Sequence, residues 1–153
     1  MTSALPPDPL ARLIYFTAQE IHNQAQKILQ PLDLTLEQYH TLKILVINDG
    51  LTQCQLCREA SKTPANMTRL LDRLEKKTLL ARRADPNDRR ASLVMLTDKG
   101  RERVNEAKTV LASFAGEMNQ GLAPADEQAA RVAMRTISAN LRVLAAKGSP
   151  THR

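Results

Sequence analysis

The side chains of this chain that are best suited to binding a charged partner are basic, and they are concentrated in one segment. Residues 51–103 contain 13 of the 22 Lys and Arg residues but only 7 of the 16 Asp and Glu residues. The formal charge of this segment is therefore +6, which equals the charge of the whole chain. Basic groups at this density attract anions, so the segment predicts a polyanionic partner, either nucleic acid or a membrane surface.

Residues 64–76 arrange their side chains on two sides of a predicted helix. The apolar side, which predicts a contact with the core, consists of Met67, Leu70, Leu71 and Leu74. The opposite side carries Ala65, Arg69, Asp72 and Lys76, and it is flanked by Asn66, Thr68 and Arg73. Small residues at a helix start permit close approach to DNA, whose phosphates also favour the positive end of the helix dipole.

The polar side chains of this helix have distinct donor patterns. Arg69 can donate two hydrogen bonds to guanine, and Asn66 can pair with the edge of adenine. Thr68 and Arg73 are better placed for phosphates. The predicted DNA contacts of this helix are Pro64, Ala65, Asn66, Thr68, Arg69, Arg73 and Lys76. A solvated charged helix face is the alternative interpretation.

A second basic group follows a turn-forming sequence, Asp85 to Asp88. Arg89 and Arg90 stand at the predicted tip of a short hairpin. An arginine on such a tip can enter the minor groove, where the negative potential is deepest. Asp88 could direct Arg90 through a hydrogen-bonded ion pair. The alternative is a plain exposed turn.

Capping and breaking signals delimit the elements that position these side chains. Asp8 followed by Pro9 predicts the start of a helix that Pro31 ends. Two capping boxes, Thr35 to Gln38 and Thr52 to Gln55, predict the second and third helices. The remaining predicted elements are a helix over 63–77, strands over 79–83 and 91–96, a helix from Thr97-Asp98 to about Asn119, and a helix from Pro124 to before Gly148.

This order of elements predicts a mainly α fold with a small β-hairpin, namely a winged helix-turn-helix with terminal dimerisation helices. We predict an N-terminal dimerisation helix over 1–34, the DNA-binding domain over 35–100, and C-terminal dimerisation helices over 101–153. Apolar stripes on the first, fifth and sixth helices exceed what a small DNA-binding module can cover. They favour a homodimer, with a monomeric bundle as the alternative. The dimer would present two copies of the helix over 63–77, the recognition helix, to pseudo-palindromic double-stranded DNA.

Four motifs, in this order and spacing, resemble the MarR (multiple antibiotic resistance regulator) family. They are Leu51-Thr52-Gln53, Thr68 to Glu75 after Pro64, Asp85 to Arg90, and Leu96-Thr97 with Lys99-Gly100. The resemblance implies an obligate dimer, a recognition helix in the major groove, and Arg90 in the minor groove. It also implies transcriptional repression that a small ligand or cysteine oxidation relieves.

The chain departs from the family pattern at Thr78, where members usually have glycine. If the backbone there is left-handed, threonine carries a steric cost of about 1 kcal/mol. An alternative turn would shift the start of the following strand.

Aromatic and imidazole side chains suggest where an effector could bind. Most of them fall on the first two predicted helices, and with a basic neighbour they form the candidate site Arg12, Tyr15, Phe16, His22, Tyr39 and His40. A small aromatic acid or phenol would suit this lining, with a carboxylate neutralised by arginine. The competing interpretation is that these aromatic residues are core residues.

Cys54 and Cys57 stand three residues apart on the short third helix. A redox switch would use them, but this spacing within one helix has poor geometry for a disulfide. Cys57 is predicted to face the core as a small hydrophobe. A structural role is favoured over a redox-responsive one, and no metal site or cofactor is predicted.

The sequence disfavours other classes of protein. It offers no catalytic nucleophile, paired carboxylates or glycine-rich phosphate loop to support His22 or His40 in an enzyme. No apolar run would span a bilayer and no signal peptide is recognised, so a cytoplasmic protein without membrane association is expected. A nonspecific architectural DNA-binding protein and a partner module that does not bind DNA remain as alternatives.

Overall fold

The computed structural model describes residues 9–88 and 90–147. It is mostly helical, with one small antiparallel sheet. The elements in chain order are α1 (Leu10–Leu29), a 3-10 turn (Gln30–Leu32), α2 (Leu36–Ile47), β1 (Leu51–Thr52), α3 (Gln53–Glu59), α4 (Pro64–Lys76), β2 (Leu80–Ala84), β3 (Ser92–Leu96), α5 (Asp98–Met118) and α6 (Pro124–Ala146).

Both predicted capping boxes are confirmed. The amide of Gln38 donates to the Thr35 hydroxyl at 3.1 Å, and the Thr35 amide donates to the Gln38 side chain at 3.1 Å. Thr52 and Gln55 make the same reciprocal pair at the start of α3. These pairs satisfy amides that have no partner within the helix, and therefore fix where α2 and α3 begin.

The first helix begins one residue later than predicted. Pro9 is the N-cap rather than the first helical residue, because its ψ of 134° is extended. The predicted cap, Asp8, lies outside the described residues. The helix ends at Leu29, and Pro31 lies in the 3-10 turn that follows.

The sheet has three strands, of which the sequence predicted two. The strand order is β1-β3-β2, and both pairings are antiparallel. Leu80 pairs with Leu96 and Ala84 with Ser92 in the hairpin. The additional strand β1 pairs Leu51 with Val94 across two residues only, which is too short for a hydrophobic pattern to reveal.

A single hydrophobic core joins the helix-turn-helix to this sheet. Its fully buried side chains come from α1, α2, α3, α4, β2 and β3: Leu29, Leu42, Leu45, Leu56, Met67, Leu71, Leu74, Leu80 and Val94. Fully burying a side chain of this size contributes about 1.5–3 kcal/mol. The core thereby holds α4 and the hairpin, henceforth the wing (residues 80–96), in one module.

The chain separates into two compact units, one ending at Phe114 and one beginning at Ala115. In the first unit, α5 buries Val104 and Ala107. In the second unit, α6 buries none of its residues. None of the helices in the described part of the chain is long and apolar enough to cross a membrane.

Candidate nucleic-acid interface

The face of α4 that points inward is the one that the helical pattern predicts. Thr63 caps the helix by accepting a hydrogen bond from the Asn66 amide at 3.4 Å, and Pro64 takes the first helical position. Met67, Leu71 and Leu74 are fully buried. Because these residues fix the rotation of the helix about its axis, they also determine which side chains face outward.

The outward face of α4 consists of the residues predicted to contact DNA. All of them are exposed: Pro64, Ala65, Asn66, Thr68, Arg69, Arg73 and Lys76. The Arg69 guanidinium donates to the Asn66 side-chain oxygen at 3.1 Å. This contact brings together the two side chains best suited to reading bases.

Gln53 is a residue of this surface that sequence reasoning missed. Its amide group donates to the Thr68 hydroxyl at 2.7 Å and to the Pro64 carbonyl at 3.4 Å. The Thr68 hydroxyl in turn donates to the same carbonyl at 2.9 Å. Gln53 therefore joins the first residue of α3 to the first turns of α4. The available signal was its place in the Leu51-Thr52-Gln53 motif.

The tip of the wing is shaped by two aspartates. Asp85 accepts a hydrogen bond from the Asn87 amide at 2.8 Å, and Asp88 accepts one from the Arg90 amide at 2.9 Å. Asp88 therefore holds the backbone of Arg90, in place of the side-chain ion pair that the sequence suggested. Arg90 is exposed, and Arg89 lies outside the described residues.

The base of the wing is attached to α4 through Arg82 on β2. Its guanidinium pairs with Asp72 at 2.7 Å and with Glu75 through a second hydrogen bond. Its backbone amide also donates to Glu75 at 3.1 Å. Partial burial disfavours the charge of Arg82, but the two carboxylates outweigh this effect and hold the pKa of the guanidinium above its usual value.

Asp49, two residues after the end of α2, holds the end of strand β3. One carboxylate oxygen accepts hydrogen bonds from the amides of Leu96 at 2.8 Å and Gly50 at 3.1 Å. The other pairs with Arg101 in the first turns of α5. One side chain thus fixes the end of β3 relative to two helices.

The turn between α4 and β2 is left-handed at Thr78, with φ of 60°. The steric cost anticipated for threonine at this position therefore applies. Polar contacts surround the strained residue: Thr97 donates to its carbonyl at 2.8 Å, and Lys99 donates to its hydroxyl at 3.0 Å. At the same junction, a Cβ atom on Gly100 would lie 2.0 Å from the Leu79 carbonyl oxygen.

The residues predicted for an effector site lie in separate places. Arg12 lies over the ring of Phe16, 5.6 Å from its centroid, and Tyr15 makes an edge contact with Phe16 at 5.3 Å. Tyr15 and Phe16 are 63% and 49% exposed. Tyr39 belongs to the core instead, and its burial raises the pKa of its hydroxyl.

The two predicted histidines line different cavities. His22 borders a polar cleft of about 500 Å³ that also touches Lys62, Arg69 and Arg73. His40 borders a groove of about 480 Å³ with Lys43. Burial lowers the pKa of His40, and the neighbouring lysines lower it further. The six predicted residues are thus not brought together in this chain.

The two cysteines have different environments, and both are free thiols. Cys54 is exposed, whereas Cys57 is half-buried and packs against the core. Residues 9–88 and 90–147 contain no cluster of three or more His, Cys, Asp or Glu side chains that could hold a metal ion.

Comparison with known proteins adds to this geometry. The model of the MarR family matches residues 34–92. An HTH-type transcriptional repressor of Mycobacterium tuberculosis is 33% identical over 103 residues, which is 67% of this chain and 74% of that protein. The multiple antibiotic resistance protein MarR of Salmonella typhimurium is 37% identical over 92 residues, covering 60% and 64% of the two chains.

Solved structures agree in fold. A mutant of MarR from E. coli complexed with operator DNA has a TM-score of 0.76 and 27% identity, over 85% of this chain and 94% of that chain. The transcriptional repressor CouR, bound to a 23-mer DNA duplex, has a TM-score of 0.77 and 27% identity, over 90% and 99% of the two chains.

Proposed function

This chain belongs to the MarR family, and on that premise we propose that it is a cytoplasmic, homodimeric transcriptional repressor. It binds a pseudo-palindromic operator in double-stranded DNA. The observation that carries the proposal is the outward face of α4, where Asn66, Arg69 and Arg73 are exposed on a helix whose other face is fully buried. The DNA complexes of the E. coli MarR mutant and of CouR support this partner.

Each part of the surface has a different task in this proposal. Arg69 and Asn66 read base edges in the major groove, while Thr68 and Arg73 contact phosphates. Arg90 enters the adjacent minor groove from the wing tip. The Asp88 carboxylate supports this role because it fixes the backbone that carries Arg90.

Apolar side chains without cover in one subunit support a homodimer. On α1 the large exposed hydrophobic residues outside the effector site proposed below are Leu10, Leu13 and Ile21. On α6 they are Val132, Met134, Leu141, Val143 and Leu144. A second copy would remove both sets from water, and two-fold symmetry would present two copies of α4 about 34–36 Å apart, one turn of B-form DNA.

We place the effector, a small aromatic acid or phenol, near the start of α1. Tyr15 and Phe16 offer exposed rings there, and Arg12 lies over one of them. A carboxylate would pair with the guanidinium while the rings contact the aromatic part of the ligand.

The test begins with a footprint on the DNA upstream of the gene that encodes this protein. A sequence-specific repressor should protect a symmetric site and bind it about 10³-fold or more tightly than bulk DNA. An architectural protein would protect DNA without this preference. A sedimentation measurement should give a dimer in the concentration range where the operator is bound, and a monomer there would contradict the proposal.

The effector is tested in the same footprint. Aromatic acids should release the protected site from the wild-type protein but not from an Arg12→Gln variant. Adding peroxide to the same footprint tests the alternative, a redox-responsive regulator. Release by peroxide that Cys54→Ser abolishes, without release by any aromatic acid, would replace the ligand proposal with thiol oxidation.

A further inference from the structure

Arg82 is a basic residue of the wing whose side chain faces α4 rather than the solvent. Arg82 joins β2 to Asp72 and Glu75 of α4, and we call these three residues the helix–wing fork. The Arg82 side chain is 24% exposed, compared with 58% for Asp72 and 40% for Glu75. The guanidinium is thus enclosed between the two carboxylates and the wing.

The backbone reinforces the fork. β2 is an outer strand of the sheet, because the strand order is β1-β3-β2. The Arg82 amide donates to Glu75 at 3.1 Å, so Glu75 accepts both from the backbone and from the side chain of the same residue. An outer strand otherwise leaves such amides to solvent. The wing is therefore attached to α4 both through its main chain and through a side chain.

The chemistry of arginine matters for this attachment. A guanidinium is planar and presents several donors in fixed directions, so it can bind two carboxylates at once with defined geometry. The ammonium of lysine is a point charge that would keep the attraction but lose the direction. Substitution by lysine therefore separates the effect of charge from the effect of orientation.

We infer that Arg82 is a positioning residue for DNA recognition, an inference that rests on the proposed function. The fork fixes the orientation of the wing relative to α4, so that Arg90 reaches the minor groove while Arg69 occupies the major groove. Arg82 also offsets part of the negative charge of two carboxylates on a helix that approaches phosphates. The orientation role predicts energetic coupling between Arg82 and Arg90, two residues on separate parts of the wing.

The test is a double-mutant cycle on operator affinity. Arg90→Ala should weaken binding by about 10- to 100-fold in the wild-type protein. In Arg82→Lys and Arg82→Gln proteins, the same substitution should cost less than about threefold, because a misdirected wing has already lost the contact. Equal costs of Arg90→Ala in all backgrounds would overturn the inference. A general loss of stability would not produce this coupling, and melting temperatures check for it.

Arg83 provides the matched control on the same strand. It is exposed, and its side chain makes no hydrogen bond or ion pair with the described residues. Arg83→Gln removes one positive charge from β2 and leaves the fork intact. The cost of Arg90→Ala in this background should stay within about twofold of its wild-type value. Coupling of the same size at Arg83 would show that charge, not orientation, is responsible.

Hydrogen exchange in the free protein tests the fork without DNA. In Arg82→Gln, the amide of residue 82 and the amides of the last turn of α4 should exchange about tenfold faster, while Arg83→Gln leaves them unchanged. Unchanged exchange in Arg82→Gln would overturn the fork whether or not DNA is bound. Wild-type protein that binds no operator would instead overturn the proposed function, with the fork still judged by exchange.

Discussion

The α4 helix and the α6 helix carry apolar residues at the same helical spacing but bury them differently. Leu71 of α4 is fully buried, whereas Leu144 of α6 is 62% exposed. A periodic stripe shows that a helix face needs cover, and it does not show which chain provides that cover. The apolar face of α4 is covered by this chain itself, whereas α6 buries none of its residues.

The largest expected difference is between the truncation of a leucine in α4 and the truncation of a leucine in α6. Leu71→Ala should lower the free energy of unfolding by about 2–5 kcal/mol, because it removes contacts and leaves a cavity. Leu144→Ala should change it by less than about 0.5 kcal/mol in dilute monomer but should weaken dimerisation. Chemical denaturation at two protein concentrations measures both. Equal, concentration-independent losses would remove the distinction between the two regions.

The wing tip is a third case beside α4 and α6, because it belongs to the same module as α4 but adds little to the hydrophobic core. Arg90→Ala should weaken operator binding by about 10- to 100-fold while the melting temperature stays nearly unchanged. Fluorescence anisotropy and calorimetry measure the two quantities. A variant that fails to fold would show that Arg90 stabilises the wing rather than contacting DNA.

Arg69→Ala should have a smaller and more specific effect. Loss of its hydrogen bonds to a base should cost about 1–3 kcal/mol and relax the preference at one position of each half-site. Selection from a randomised operator library measures the preference. An unchanged preference at every position would assign Arg69 to phosphate binding.

Thr78 marks a strained point within the otherwise complete module. Thr78→Gly should relieve the left-handed backbone and stabilise the fold by up to about 1 kcal/mol. The loss of the hydroxyl contact with Lys99 works against this gain. Thermal unfolding in parallel with Lys99→Met separates the two contributions. Destabilisation by Thr78→Gly in the Lys99→Met background would contradict the strain argument.

The smallest effect concerns pH. Burial and nearby lysines hold the pKa of His40 below its usual 6.5, so the unfolded chain takes up this proton more readily than the folded chain. His40 therefore contributes stability above pH 6.5 that is lost as the pH falls below it. His40→Gln should flatten the decline in stability as the pH falls below 6.5. A variant with the wild-type slope would show that another group titrates.

Local signals in the sequence predicted much of the fold. Capping boxes at Thr35 and Thr52 involve residues three apart, and the two faces of α4 follow from one helical turn. Such patterns depend on neighbours in the chain, so they can be recognised without a structure. The left-handed backbone at Thr78 was one of two alternatives left open, and it was raised by the glycine that family members usually have at this position.

Contacts between distant residues could not be predicted from these patterns. Gln53 meets Thr68 across 15 positions, and Asp49 meets Arg101 across 52. The helix–wing fork depends on the register of β2, which places Arg82 rather than Arg83 against α4. For the effector residues, closeness in the sequence was misleading. Tyr39 was grouped with the other aromatic residues, but its ring lies in the core.

Gly100 has a consequence for any attempt to diversify this protein. A methyl group there would collide with the main-chain oxygen of Leu79, which cannot rotate aside as a side chain could. Even alanine would push the first turn of α5 away from Leu79, the residue directly before β2. A saturation library at this codon should return glycine alone, although the residue touches neither DNA nor ligand in the functions proposed for the chain.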